Sequence, residues 1–116
     1  MSLLSIFNFF GNGEGRINAD ELRAMLDDKA ECSLIDVRTP SEFKGGHIPG
    51  SVSIPLNEIE RLSAVPYKGK VVLYCAAGVR SLKARNLLKS RGVADVVDLK
   101  GGINAWIKAG GRLTAR

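Results

Sequence analysis

Four apolar residues in a row, Val71-Val72-Leu73-Tyr74, stand between Lys70 and Cys75. A strand with one wet face alternates apolar and polar residues. A continuous run belongs to a strand covered on both faces, as in the middle of a parallel sheet. Parallel strands cannot be joined by tight turns, so crossover helices must lie between them.

The rest of the chain supplies that alternation. Asn18 is placed to cap a helix, with Glu21 at the capping-box position and Ile17 stapled onto Leu22. Leu22, Met25 and Leu26 then share one apolar face. Residues 33–37 read as a short buried strand. Pro40 opens a one-to-two-turn helix through Phe43, which Gly45-Gly46 ends. Residues 51–54 read as a strand, and a helix led by Pro55 covers 56–62. After the strand at 70–75, residues 79–91 read as a helix with Ala84, Leu87 and Leu88 inward and Gly92 as its stop. Residues 93–99 form the next strand, Gly101-Gly102 breaks the chain, and 103–108 form a last helix. This order specifies an α/β fold with a mainly parallel central sheet. Ligands of such sheets bind beyond the carboxyl ends of the strands, here at Asp36-Val37-Arg38 and at Cys75 with the loop after it.

Composition narrows the chemistry. The chain has 116 residues, 45% hydrophobic and 25% charged, enough for one domain with a core. Two cysteines exclude a disulfide-dense scaffold and a four-cysteine zinc site, and one histidine excludes the common zinc-hydrolase sites. No metal and no cofactor are expected. The net charge of +5 suggests an anionic partner. The basic residues form no run, and aromatics at 6% make no stacking platform, which disfavours nucleic acid and leaves a small anionic substrate or a merely solvated basic surface.

Residues 1–15 read as an apolar extension (Leu3, Leu4, Ile6, Phe7, Phe9, Phe10) and a Gly-rich linker, with the domain at 16–116. The extension has no basic n-region and no cleavage pattern, and it is too short to span a bilayer. A cytoplasmic protein is expected, with residues 1–10 docking on the domain or on a partner.

Cys75 ends the most apolar strand, and Ala76-Ala77-Gly78-Val79-Arg80 leads into a helix. A short loop there turns backbone N–H groups inward, and the helix adds the positive end of its dipole. A cysteine at the base of such a loop has a lowered pKa and reacts as thiolate. Small side chains at 76–78 leave backbone to line the cavity, Gly78 reaches conformations closed to other residues, and Arg80 sets a permanent charge at the rim. A cation in a helix's first turn opposes the dipole, and anion binding accounts for its presence.

Four ordered motifs carry a resemblance. Ile35-Asp36-Val37-Arg38-Thr39-Pro40-Ser41-Glu42-Phe43, Gly46-His47-Ile48-Pro49-Gly50-Ser51, Cys75-Ala76-Ala77-Gly78-Val79-Arg80-Ser81 and Gly101-Gly102-Ile103-Asn104-Ala105-Trp106 together resemble a single-domain rhodanese over about residues 16–110. The resemblance implies a five-stranded, mainly parallel sheet with helices on both faces. It also implies sulfur transfer from thiosulfate or a persulfide donor to cyanide, a thiol or a protein cysteine. Cys75 would be the nucleophile and persulfide carrier, residues 76–80 the binding loop, Arg80 a ligand of the anionic donor, and Ser81 a supporting residue. Rhodanese-fold phosphatases and arsenate reductases use a loop longer by one residue. The four residues between Cys75 and Arg80 therefore rank that chemistry below sulfur transfer. A persulfide carrier or docking module is the alternative.

The remaining candidates have plainer readings. Asp36 and Arg38 are candidate supporting residues near the site: Asp36 either supports the active-site loop or caps the turn after its strand, and the plainer reading of Arg38 is a pair with Glu42. His47 is a structural hydrogen-bonding residue, and Trp106 packs in the core. Cys32 is a small buried residue at the amino end of its strand, far from Cys75. Lys83, Arg85, Lys89 and Arg91 form a mostly solvated basic face.

Overall fold

A computed structural model of the chain describes residues 15–62 and 64–116. The elements, in order, are β1 (Arg16–Ile17), α1 (Ala19–Asp27), β2 (Cys32–Asp36), α2 (Pro40–Gly45), β3 (Val52–Ser53), α3 (Leu56–Arg61), β4 (Lys70–Tyr74), α4 (Val79–Ser90), β5 (Val96–Leu99) and α5 (Gly102–Lys108). The five strands form one sheet in the order β1-β5-β4-β2-β3, and every pair is parallel. The expected parallel α/β sheet is therefore present, with the apolar run of β4 at its centre.

The two-residue period of β4 explains why both faces are covered. Val72 and Tyr74 point into one core with Ile17, Leu22, Met25, Leu34, Leu99, Ile103 and Trp106, under α1 and α5. Val71, Leu73 and Cys75 point into the other with Ile35, Val37, Ile59, Ala84 and Leu88, under α3 and α4. Local signals fix several helix starts. Asn18 and Glu21 form the expected reciprocal capping box on α1, and Thr39 and Glu42 form a second on α2, which carries Pro40 in its first turn.

One strand has no local signature. Ile17, read as a staple to the first helix, also lies in β1, where Arg16 and Ile17 pair with Asp98 and Leu99. Two residues give no periodicity, and only the edge of β5 makes them a strand. Cys32 is half-buried rather than enclosed. It opens β2 opposite Lys70, while Asp36 at the other end of the strand lies opposite Tyr74, next to Cys75. Both cysteines are free. Trp106 is buried as expected, its indole N–H donating to the Arg112 carbonyl at 2.8 Å. Residues 1–14 of the N-terminal extension lie outside the described residues. Among the described residues no helix is long and apolar enough to cross a membrane.

Candidate active site

Cys75 comes directly after the last residue of β4 and is almost completely buried. The chain then bends over its sulfur. Gly78, the cap of α4, takes φ 94°, a left-handed conformation that glycine adopts without strain. That bend aims the Gly78 amide at Cys75 Sγ at 3.1 Å, and the Ser81 amide reaches the same sulfur at 3.3 Å. Ser81 Oγ lies 3.5 Å from the sulfur, accepting from the thiol. Of the loop expected to cradle the sulfur, Gly78 makes a direct contact, and Ser81 belongs to the cradle as fully.

The loop is fastened from behind by α5. The amide of Ile103 donates to the Cys75 carbonyl at 2.8 Å and that of Asn104 to the Ala76 carbonyl at 3.1 Å. The approach depends on Gly102, where a Cβ would stand 2.5 Å from both carbonyl oxygens. On the solvent side Ala77 and Val79 are exposed, so small and apolar side chains rim the opening.

Burial pushes the Cys75 thiol pKa up. The Ser81 hydroxyl and the amides of Ser81, Gly78 and Ala77 favour the thiolate and outweigh burial, so the net shift is downward from 9.0. The thiolate of Cys75 is thus favoured by hydrogen bonds from the loop and the first turn of α4.

The charged residues pair differently from expectation. Arg38 does not pair with Glu42. Its guanidinium closes on Asp36, with Nε 3.0 Å from both carboxylate oxygens and Nη2 2.7 Å from Oδ2. The backbone amide of Arg38 also donates to Asp36 Oδ1 at 2.9 Å, and Nη2 reaches the Gly46 carbonyl at 2.7 Å. The Asp36 carboxylate thus accepts from the side chain and the backbone amide of Arg38, in the turn after its own strand. Glu42 instead takes Arg80 through two bonds of 2.7 and 3.1 Å. This supplies the reason for a cation in the first turn of α4: a carboxylate on α2 compensates it. Hydrogen bonding from Arg80 and the Thr39 amide, against the effect of partial burial, brings the Glu42 carboxyl down to about 2.

Three residues have site contacts beyond those expected: Glu42, expected only as the partner of Arg38, and Asp98 and Arg16. Glu42 was visible as the fourth residue of Thr39-Pro40-Ser41-Glu42, a capping-box spacing. Asp98 was visible as a carboxylate inside the apolar strand Val96–Leu99. Its side chain is fully buried and accepts from Ser81 Oγ at 3.0 Å and from Arg16 Nε and Nη2, each at 3.0 Å. Arg16 Nη2 also donates to the Gly78 carbonyl at 2.9 Å. His47 is buried with Nδ1 2.8 Å from the Phe43 carbonyl and its ring stacked on Phe43, consistent with a structural role. The basic face of α4 is less free than expected: Lys83 meets Glu60 at 3.2 Å, and Arg91 donates to the carbonyls of Ile59, Glu60 and Leu62.

The family model for the rhodanese-like domain matches residues 18–109. A protein of Allochromatium vinosum named sulfurtransferase is 38% identical over 95 residues, spanning 81% of this chain and 89% of that protein. The probable adenylyltransferase/sulfurtransferase MoeZ of Mycobacterium tuberculosis is 44% identical over 95 residues; the match spans 79% of this chain but 24% of MoeZ. The crystal structure of a rhodanese-related protein from Thermoplasma volcanium superposes with a TM-score of 0.77 at 33% identity, covering 87% of this chain and 98% of that one.

Proposed function

The chain belongs to the family of rhodanese-like domains, with a role in sulfur transfer, and on that premise we propose that it is a sulfurtransferase working through a persulfide on Cys75. The observation that carries this reading is the buried thiol at the end of β4, with two backbone amides directed at its sulfur and the Ser81 hydroxyl oxygen beside it. The Cys75 thiolate attacks the outer sulfur of thiosulfate or of a persulfide. A bond forms from Sγ to that sulfur as the donor's S–S bond breaks, and sulfite or a thiolate leaves with the bonding electron pair. A thiophilic acceptor (cyanide, a thiol or a protein cysteine) then attacks the outer sulfur of the cysteine persulfide, and the Cys75 thiolate is regenerated. The chemistry needs no cofactor. Donors at a helix N-terminus stabilise the negative charge on sulfur before and after transfer. The loop of residues 76–80 would hold the outer sulfur, with Arg80 at the rim contacting the donor. Asp36 and Arg38 would shape the neighbouring strand end.

A carrier reading has support in the relative whose name joins sulfurtransferase to adenylyltransferase, of whose length this chain matches a minor part. In that reading the acceptor is a partner protein, with residues 1–10 as the docking element. Deleting residues 1–12 separates the two. Loss of transfer to a partner with retained cyanide-coupled turnover marks a docking element.

The experiment that tests the proposal is the intact mass of wild type and Cys75→Ala after incubation with thiosulfate. Gain of one sulfur atom on wild type alone, reversed by cyanide, is the expected result. A reduced, folded wild type that gains no sulfur from thiosulfate, a polysulfide or a protein persulfide overturns it.

A further inference from the structure

Ser81 has one hydroxyl proton and stands between two groups that accept it. Oγ donates to Asp98 Oδ2 at 3.0 Å and lies 3.5 Å from Cys75 Sγ. Both Ser81 and Asp98 are fully buried, so water does not substitute for either partner. The carboxylate is held in place from its other side by Arg16, whose Nη2 also grips the Gly78 carbonyl of the cysteine loop. Nothing in the sulfur-transfer scheme uses Asp98 or Arg16, yet a buried carboxylate in an apolar strand costs stability unless fully paired.

The hydrogen bonds have a direction. With Cys75 as a thiol, S–H donates to Ser81 Oγ, and Ser81 O–H donates to Asp98. Once the thiol has ionised, the sulfur is an acceptor, and a hydroxyl with one proton serves either the sulfur or the carboxylate. We propose that Asp98 is a positioning residue for Cys75, setting the stability of its thiolate by competing for the single proton of Ser81. Arg16 weakens that competition, since its two bonds keep the carboxylate satisfied when the hydroxyl turns to sulfur.

Among the described residues, two further ion pairs lie near Cys75. Arg80 on α4 is bound by Glu42 of α2, and Asp36 at the end of β2 is bound by Arg38. The Asp98–Arg16 pair on β5 and β1 reaches the sulfur through Ser81. The Ser81 hydroxyl is among the groups that favour the Cys75 thiolate.

The inference rests on Cys75 being the reacting group. Its test is the pH dependence of Cys75 alkylation by iodoacetamide, monitored by mass at the Cys75 peptide so that Cys32 does not contribute. Asp98→Asn offers a weaker acceptor and is expected to move the midpoint down by about one pH unit. Ser81→Ala removes a donor to the thiolate and moves it up. In the Ser81→Ala background the Asp98→Asn effect largely vanishes. An unchanged or raised midpoint in Asp98→Asn overturns the proposal, as does an equal drop in the Ser81→Ala background, which makes the charge alone the cause. If Asp98→Asn does not fold by circular dichroism, Arg16→Gln takes its place. It is expected to raise the midpoint, and to do so only when Ser81 is present; any other result overturns the proposal. No sulfur donor enters the measurement. A Cys75 that shows these shifts but never accepts sulfur overturns the functional reading and leaves the inference standing, and the converse pattern does the opposite.

Discussion

Glu42 on α2 holds Arg80 on α4 with both carboxylate oxygens, at 2.7 and 3.1 Å, across 38 residues of sequence. The same Oε1 accepts the Thr39 amide at 3.0 Å, so one side chain caps its own helix and fixes the rim of the cysteine loop.

This pairing has a pH signature. The Glu42 carboxyl lies at about 2 in the folded protein against 4.5 ordinarily. A depressed carboxyl contributes stability that is fully present above the unfolded value and lost as pH falls through the folded one. Wild type should therefore lose stability between about pH 4.5 and pH 2, and Glu42→Gln should lose less over that window. Urea unfolding at stepped pH checks this, and parallel curves for the two proteins contradict it.

Cys75 should alkylate with a midpoint below the ordinary 9.0, because the donors from Ser81, Gly78 and Ala77 outweigh burial. Cys32, which burial raises, should lag behind it at neutral pH. Peptide mass mapping after brief iodoacetamide treatment gives the order. Cys75→Ala should abolish sulfur loading with an unchanged circular dichroism spectrum.

Asp36 and Arg38 form a buried pair, with side chains 0% and 8% exposed. Removing one partner of such a pair leaves a charge without compensation, at a cost of about 3 kcal/mol or more. Arg38→Ala and Asp36→Ala should each destabilise by about that amount, and the double variant by much less than their sum. Chemical denaturation of the four proteins closes the cycle.

Gly102→Ala should be severe. Its φ is +62°, and a Cβ would meet the carbonyls of Cys75 and Ala76 at 2.5 Å. Strain of this kind costs on the order of 1–3 kcal/mol from the backbone alone. The clash would also push α5 off the loop, so sulfur loading should fall even where the variant still folds. Loading comparable to wild type would contradict the fastening role of this contact.

The elements of this fold were readable because their signals are local. A continuous apolar run fits only a doubly covered strand, Asn18 and Glu21 announce a helix start, and Gly78 permits the bend that turns amides onto Cys75. Helix ends and strand ends moved by one to three residues, since fraying and partial pairing leave little mark on composition. The candidate site around Cys75 was legible for the same reason: strand end, small-residue loop and helix start are consecutive in the chain.

The partners of the charged residues were not legible. Arg38 lies four residues before Glu42, a spacing that invites pairing on a helix, but it precedes α2 and turns back to Asp36 of its own strand. Arg80 and Glu42 meet because α2 and α4 converge at the carboxyl end of the sheet, and Arg16 reaches Asp98 because β1 adds to the edge of β5. Sequence by itself determined the order of the strands and helices from α1 onward, the covered faces of β4 and the place of Cys75 at a strand end, each through backbone geometry over a few residues. Only the tertiary structure decided which carboxylate compensates which cation. A chain with 17 basic and 12 acidic side chains admits many pairings, and the one adopted depends on the docking of distant elements, about which neighbouring residues carry no signal.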